Sequence, residues 1–360
     1  MLHCNLSANL TRAGEWFLGS GIQESNGGVA RYYRADLGSH SPVSTEITGY
    51  TISALVFLHT NVRDRRYLDA AARAAQFLIR TAWPAGGGVM PFEIAPAEFA
   101  YFFDCGIAVR GLLAAWRVLG DDEYLQRAAA LGRAMAREFL SKEGDFHPVL
   151  DLRAGSPVER DPARWSRSAG CYQLKAAMAW SDLCEATGDA SFREPYERVL
   201  SAALATGESF LPGHPDRLQV MDRLHAFAYY LEGLLPRVRE LRCAAALRAG
   251  IAHLAHWLRE IAPQFERSDV YAQLLRLRLF ADWLGVLPLD QEAGAAEARQ
   301  LSGFQAAASD PRIEGGFYFG RKGGRSMPYI NPVSTAFALQ ALALWECRTR
   351  GAQPHLHLLI

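Results

Sequence analysis

The sequence is poor in cysteine, has no long apolar run and carries no excess charge of either sign. Its 360 residues include six cysteines, Cys4, Cys105, Cys171, Cys184, Cys243 and Cys347, and no two of them stand in a CxxC spacing. A disulfide framework or a structural metal cluster draws on closely spaced cysteines, so neither is expected. The expectation is six reduced thiols, mostly buried, in a cytoplasmic protein with no metal and no cofactor. No segment reaches the ~18 consecutive apolar residues of a membrane-spanning helix. The opening MLHCNLSANLTRAGEW has no basic stretch followed by a long apolar one, so no signal peptide is expected. Lys plus Arg number 38 and Asp plus Glu number 38, a formal net charge of zero. That balance argues against nucleic acid or a membrane surface as a partner.

What the chain does have is apolar helix. Half of its residues are hydrophobic, enough for a large core. The stretch 222–235, DRLHAFAYYLEGLL, is apolar on most sides, yet Asp222, His225, Tyr229 and Glu232 share one face at offsets 0, 3, 7 and 10. Titratable groups on a buried helix are costly unless paired or turned to a wet cavity, so this helix reads as a pocket wall.

Similar helices recur. Mostly apolar segments near 44–58, 101–119, 168–186, 222–235, 268–285 and 333–347 alternate with a short first helix at 8–19 and amphipathic segments near 64–81, 122–140, 191–210, 240–261 and 290–308. Gly-rich loops precede several of the apolar segments. Gly27-Gly28-Val29 echoes Gly87-Gly88-Val89 and Gly315-Gly316-Phe317, and Pro42-Val-Ser-Thr45 echoes Pro332-Val-Ser-Thr335. A repeat of about 50–60 residues without a β pattern means helical hairpins. One helix of each pair is consistently the more apolar, which fits two concentric rings. The PVST echo near both ends suggests that the ring closes. The expected fold is all-α, a closed (α/α)6 toroid over residues 1–350, with 351–360 a loosely attached tail; an open solenoid is the alternative.

In a toroid the N-termini of the inner helices gather at one mouth. Polar residues cluster near those N-termini: Glu46 and Tyr50, Tyr101 and Asp104, Ser168 and Tyr172, Asp269 and Gln273, and Asn331 with Ser334 and Thr335. Together with the 222–232 stripe they outline a concave site. Ser44, Ser168, Asp222, Ser268 and Asn331 also read as helix N-caps, and the tyrosines as core aromatics. Arg31 and Arg34 in the first loop, with Arg321, Lys322 and Arg325 in the last, would form a basic rim that helix dipoles reinforce, favouring an anionic ligand. Tyr32, Tyr33, Phe317, Tyr318 and Phe319 offer flat faces for sugar rings.

The stretches STEITGYTISALVFL, DRLHAFAYYLEGLL and YINPVSTAFALQAL resemble bacterial α/α-toroid proteins of polysaccharide biosynthesis, themselves similar to the six-hairpin glycosidase and terpenoid-cyclase-like toroids. By that resemblance Glu46, Tyr50, His225, Tyr229, Glu232, Tyr329 and Asn331 are the motif positions, and the ligand is an oligo- or polysaccharide. The Asp-x-Asp-Asp cluster of substrate-protonating terpenoid cyclases is missing. So is the Cys/His cluster expected of lanthionine cyclases and protein prenyltransferases. The favoured activity is hydrolysis of an acidic glycan by two carboxylates among Glu46, Asp104, Glu232 and Asp269. These would stand ~5–5.5 Å apart for retention or ~6.5–9.5 Å for inversion. A uronate lyase or epimerase would use Tyr229 or His225 as base, with Arg321 or Asn331 stabilising the enolate. A non-catalytic glycan-binding or assembly protein would need no carboxylate pair. The oligomeric state is not readable. The candidate catalytic set is Glu46, Asp104, His225, Tyr229 and Glu232. The candidate binding set is Arg31, Tyr50, Tyr101, Tyr172, Asp269, Arg321, Tyr329 and Asn331.

Overall fold

The computed structural model describes residues 7–161, 164–262, 264–348 and 355–360. Cys4 and positions 351–354 of the expected tail lie outside them. Twelve helices follow one another among the described residues. The first six are α1 (Ala8–Gly19), α2 (Thr45–Val62), α3 (Arg65–Gln76), α4 (Phe102–Leu119), α5 (Asp122–Glu138) and α6 (Gln173–Thr187). The rest are α7 (Arg193–Gly207), α8 (Arg217–Leu234), α9 (Leu241–Ile261), α10 (Ser268–Trp283), α11 (Gln291–Ser302) and α12 (Pro332–Cys347).

The even-numbered helices form the inner ring. Each packs on the next, and α12 returns to α2, so the ring is closed. The odd-numbered helices surround it. Burial follows the sequence pattern. All of α12 except Trp345 and Glu346 is buried, whereas α3 buries only Tyr67, Ala70, Ala71, Ala74 and Ala75 along one stripe. The inner helices approach closely at small residues. A Cβ on Gly106 of α4 would lie 2.5 Å from the Ala176 carbonyl oxygen of α6, and one on Gly111 would lie 2.7 Å from the Gly49 carbonyl oxygen of α2.

Short strands lash neighbouring loops together. They are β1 (Tyr33–Arg34), β2 (Ser39–His40), β3 (Phe99–Tyr101), β4 (Val149–Asp151), β5 (Ser156–Pro157), β6 (Phe265–Arg267), β7 (Gly320–Lys322), β8 (Arg325–Ser326) and β9 (Tyr329–Ile330). They make three antiparallel sheets ordered β2-β1-β9, β3-β4-β5 and β6-β7-β8. The Tyr33–Ile330 register joins the first loop to the last and closes the ring a second time. Strands of two or three residues are too short to show a period of two, which is why the sequence pattern contains none.

Several boundaries differ from the expectation. Helix α8 begins at Arg217, five residues early, because the Asp216 carboxylate caps it by accepting from Leu218 N–H at 2.9 Å. Asp222 is therefore not a cap. Ser168 is not one either: α6 starts at Gln173, and the Ser168 hydroxyl donates to the Asp161 carbonyl at 2.8 Å. Ser268 donates to the Tyr318 carbonyl instead of capping α10, while Ser44 and Asn331 do cap.

Two further expectations change. The described tail residues are docked, with Leu359 and Ile360 only 2% and 1% exposed. Cys105, Cys171, Cys184 and Cys243 are free thiols, but Cys347 is disulfide-bonded. No helix among the described residues is long and apolar enough to cross a membrane.

Candidate functional site

A cavity of ≈ 220 Å³ opens at the mouth, where inner-helix N-termini converge. Helix α2 contributes Glu46. Helix α4 and the strand before it contribute Tyr101, Phe103 and Asp104. A helical turn at 165–167 brings Trp165 and Ser166, Tyr172 precedes α6, and α8 supplies His225 and Tyr229. Phe92 and Pro148 come from the loops. The aromatic rings interlock. Phe103 and Tyr229 stand 4.6 Å apart, His225 and Tyr229 4.4 Å, Trp165 and Tyr172 5.1 Å, and Phe92 and Tyr101 5.3 Å between centroids. Such faces suit the apolar C–H surfaces of a sugar ring.

Two carboxyl groups share this apolar space. Burial pushes the Glu46 carboxyl up to about 7, and the Arg31 guanidinium opposes the shift. Burial also raises Asp104 well above the usual carboxylate range, and the neighbouring Glu46 charge raises it further. The charge of either carboxyl thus disfavours ionisation of the other. Across the cavity, His225 Nδ1 lies 2.8 Å from Gln273 Oε1 and 3.5 Å from Asp269 Oδ2. The Gln273 amide nitrogen faces the His225 carbonyl at 3.5 Å, which assigns the amide oxygen to the ring and the proton to Nδ1. The unprotonated nitrogen is then Nε2. Burial holds this imidazole down to about 4 even though Asp269 pulls the other way, so it is neutral at pH 7. Asp269 is itself held ionised by Arg267, which bonds it at 2.6 and 3.0 Å and reaches Asp222 at 2.7 Å. Burial keeps Tyr229 protonated, so it is a donor.

The other candidate residues are more widely spread. Glu232 has no exposed surface and does not line the cavity; it is spent between Lys175 and Arg276 at 2.9 and 2.6 Å. Tyr50 sits beneath the mouth against Phe337, its buried hydroxyl directed at that of Tyr229. Asp269 stands behind His225. Arg31 pairs with Glu93 at 3.1 Å beside the Phe92 ring. Arg321 is turned away, donating to the Gly303 carbonyl and covering Phe304 at 4.4 Å. Tyr329 packs on Tyr32 and Arg34, and the Asn331 side chain is consumed as the cap of α12. Sequence reasoning missed Phe92, Phe103, Pro148, Trp165 and Ser166. Phe103 lies between the selected Tyr101 and Asp104, and Trp165 stands three residues before the selected Ser168; loop aromatics just before inner helices were the available signal. Among the described residues no group of three or more His, Cys, Asp or Glu is placed to hold a metal ion.

No protein-family profile matches the sequence, and no curated protein matches it. Solved structures do. A sugar epimerase from a ruminal bacterium superposes with a TM-score of 0.68 at 13% identity, over 96% of this chain and 98% of its own. A D-mannose isomerase gives 0.70 at 10% identity, over 95% and 97%. An inactive variant of the α-1,6-mannanase of Salegentibacter sp., in complex with α-1,6-mannotetrose, gives 0.63 at 11%, over 94% and 99%. At such identities the likeness concerns the fold. The chain shares the closed (α/α)6 toroid fold of these proteins.

Proposed function

We propose that the protein is a carbohydrate-active enzyme, a glycoside hydrolase that works through Glu46 and Asp104. The observation that carries this reading is the pair itself: two carboxyl groups lining one aromatic cavity, both pushed up by burial. The protonated member gives its proton to the leaving glycosidic oxygen. The ionised member then activates water or attacks the anomeric carbon. Tyr101, Tyr172 and Trp165 stack the ring. The ≈ 220 Å³ cavity is below the ~300–1,000 Å³ usual for ligand pockets, which suits one or two sugar units at a chain end. None of the eleven lining residues is a cation. Arg31 and Arg321 are engaged elsewhere, so the reading asks for no acidic group on the sugar.

A second reading has its own support. His225 is neutral, its Nδ1 fixed by Gln273, and it faces the same cavity. A base so placed fits proton abstraction beside a sugar carbonyl, as an epimerase or isomerase requires, with Tyr229 as donor. The toroid likeness to a sugar epimerase and a mannose isomerase is compatible with it.

One experiment separates them. A panel of neutral oligosaccharides and free sugars is incubated with the wild type, Glu46→Gln, Asp104→Asn and His225→Ala, then assayed for new reducing ends and, by NMR, for new isomers. Reducing ends lost in both carboxyl variants support hydrolysis. Isomers without cleavage, lost in His225→Ala, replace it with the second reading. Binding without turnover across the panel removes both.

A further inference from the structure

Below the mouth, the ring axis holds charge that the proposed chemistry does not use. Lys175 of α6, Glu232 of α8 and Arg276 of α10 meet there with no exposed surface, so one carboxylate faces two cations. Nearby, Arg110 of α4 pairs with Asp182 of α6 at 2.8 Å. Arg276 Nη1 also donates to Gln340 Oε1 at 3.0 Å, and residues 355–360 supply further acceptors. This segment enters beside the C-terminal turns of α2 and α4, where His355, His357 and Leu358 line a groove with His59 and Arg117, and it ends on the axis. The Ile360 main-chain oxygen accepts from Lys175 Nζ at 3.0 Å and from Arg276 Nη1 at 3.1 Å. The Ile360 N–H donates to Gln340 Oε1 at 3.1 Å, and Gln340 Nε2 donates to the Leu358 carbonyl at 2.6 Å. Arg110 Nη2 donates to the Leu356 carbonyl at 3.3 Å.

We propose that the base of the toroid is a peptide socket, filled in cis by the chain's own His355–Ile360, and that filling it holds the floor of the mouth in place. The socket reads main chain through Gln340, Lys175, Arg276 and Arg110, and it encloses two aliphatic side chains, Leu359 and Ile360. Its ligand class is an extended peptide carrying two adjacent bulky aliphatic residues. Emptying it takes one acceptor each from buried Lys175 and Arg276, which keep only Glu232 and Gln340, and admits water to the axis. The link to the mouth is short. The Arg276 guanidinium lies 4.0 Å from the centroid of Phe337, and that ring stands 5.3, 6.3 and 6.4 Å from Tyr50, Tyr229 and His225.

Hydrogen exchange on the full chain tests the filling. The Leu359 and Ile360 amides are expected to exchange at least 100-fold more slowly than in the free peptide HLHLLI. Gln340→Ala removes the acceptor of the Ile360 amide and should abolish most of that protection while the α2 amides stay slow. Free-peptide rates in the wild type overturn the proposal. So does protection that depends on protein concentration, which would mean that a second copy supplies the segment. A chain ending at Pro354 should bind added HLHLLI saturably and melt higher with it, but not with a scrambled peptide; equal binding of both overturns the socket. If that chain does not fold, the exchange experiment decides alone. The coupling is read separately: the His225 ring resonance should shift in Leu359→Asp, which expels the segment but leaves Gln340 to Arg276, and an unmoved resonance overturns the link to the mouth. None of these measurements uses turnover, so the proposal stands or falls apart from the hydrolase reading.

Discussion

At the scale of single residues, burial moves Glu46 and His225 in opposite directions for one reason, because it disfavours the charged form of each. The folded Glu46 carboxyl sits at about 7, above its ordinary 4.5. Its contribution to stability is therefore fully present below pH 4.5 and is lost as pH rises through about 7. Glu46→Gln, which cannot ionise, should gain on the wild type across that window, by on the order of 1–3 kcal/mol. Urea unfolding at pH 5 and pH 8 measures it; an equal difference at both values contradicts the raised carboxyl. His225 has the opposite sign. Its folded value of about 4 lies below the ordinary 6.5, so its contribution is present above pH 6.5 and is lost as pH falls through about 4. The ring resonances should titrate with a midpoint near 4, and a midpoint near 6.5 would mean a wetter site and a histidine charged in mildly acidic solution. Neither shift was readable from sequence. Helical spacing put His225 and Tyr229 on one face, but the depth of each group depends on Phe103, Trp165 and Tyr172, which come from other elements.

At the scale of elements, the inner ring depends on close approach. Gly106→Ala places a Cβ 2.5 Å from the Ala176 carbonyl oxygen and 2.7 Å from its Cα, both backbone atoms that cannot turn aside. Overpacking of this sort costs about 1–3 kcal/mol or more. Gly19→Ala, at the end of α1 with nothing within 4 Å, should be neutral or stabilising by about 0.5–1 kcal/mol. Thermal melts of the two variants side by side check the contrast. The helical hairpins were legible because the even-numbered helices are apolar on most sides and the odd-numbered ones only on a stripe. The closure signal was right in its conclusion but out of register. Ser44 caps α2 and Asn331 caps α12. Four residues on, Thr48 and Thr335 accept from the Val29 and Phe317 N–H groups at 3.1 and 3.0 Å. The equivalent positions are thus Ser44 with Asn331 and Tyr50 with Phe337, and the PVST echo is displaced from them by three residues. The durable repeat is a cap, a threonine one turn later, and the double-glycine loop that it holds. Asn331→Ala removes the acceptor for both Val333 and Ser334 N–H groups and should cost about 1 kcal/mol by the same melts.

At the scale of the whole molecule, the toroid separates its titratable groups into two layers, and the sequence could not sort Glu232 between them. Three residues after Tyr229 on α8, it looks like a mouth residue. Helix α8 begins at Arg217, however, so position 232 lies near its far end, level with Lys175 in the first turn of α6. The aromatic floor of Tyr50, Tyr229 and Phe337 lies between that layer and the cavity. Burial pushes the Glu232 carboxyl up, but Arg276 and Lys175 pull it below its ordinary value, as a structural ion pair requires. Glu232→Gln would leave two buried cations facing a neutral amide, and breaking such a pair costs about 3–5 kcal/mol. The two cations then differ. Lys175 is already lowered to about 7 by burial, and without the carboxylate it falls further and is neutral at pH 8. Arg276 cannot shed its charge. The residual cost at pH 8 should therefore reside on Arg276, and Glu232→Gln combined with Arg276→Met should recover at least half of the lost stability. Asp104→Asn makes the complementary case, because it removes a strained carboxyl from the mouth; it should keep or raise stability and lose turnover. Urea unfolding of the three variants at pH 8, beside sugar binding by the folded fraction, gives the answer. A Glu232→Gln protein as stable as the wild type but unable to bind or turn over sugar would return Glu232 to the site.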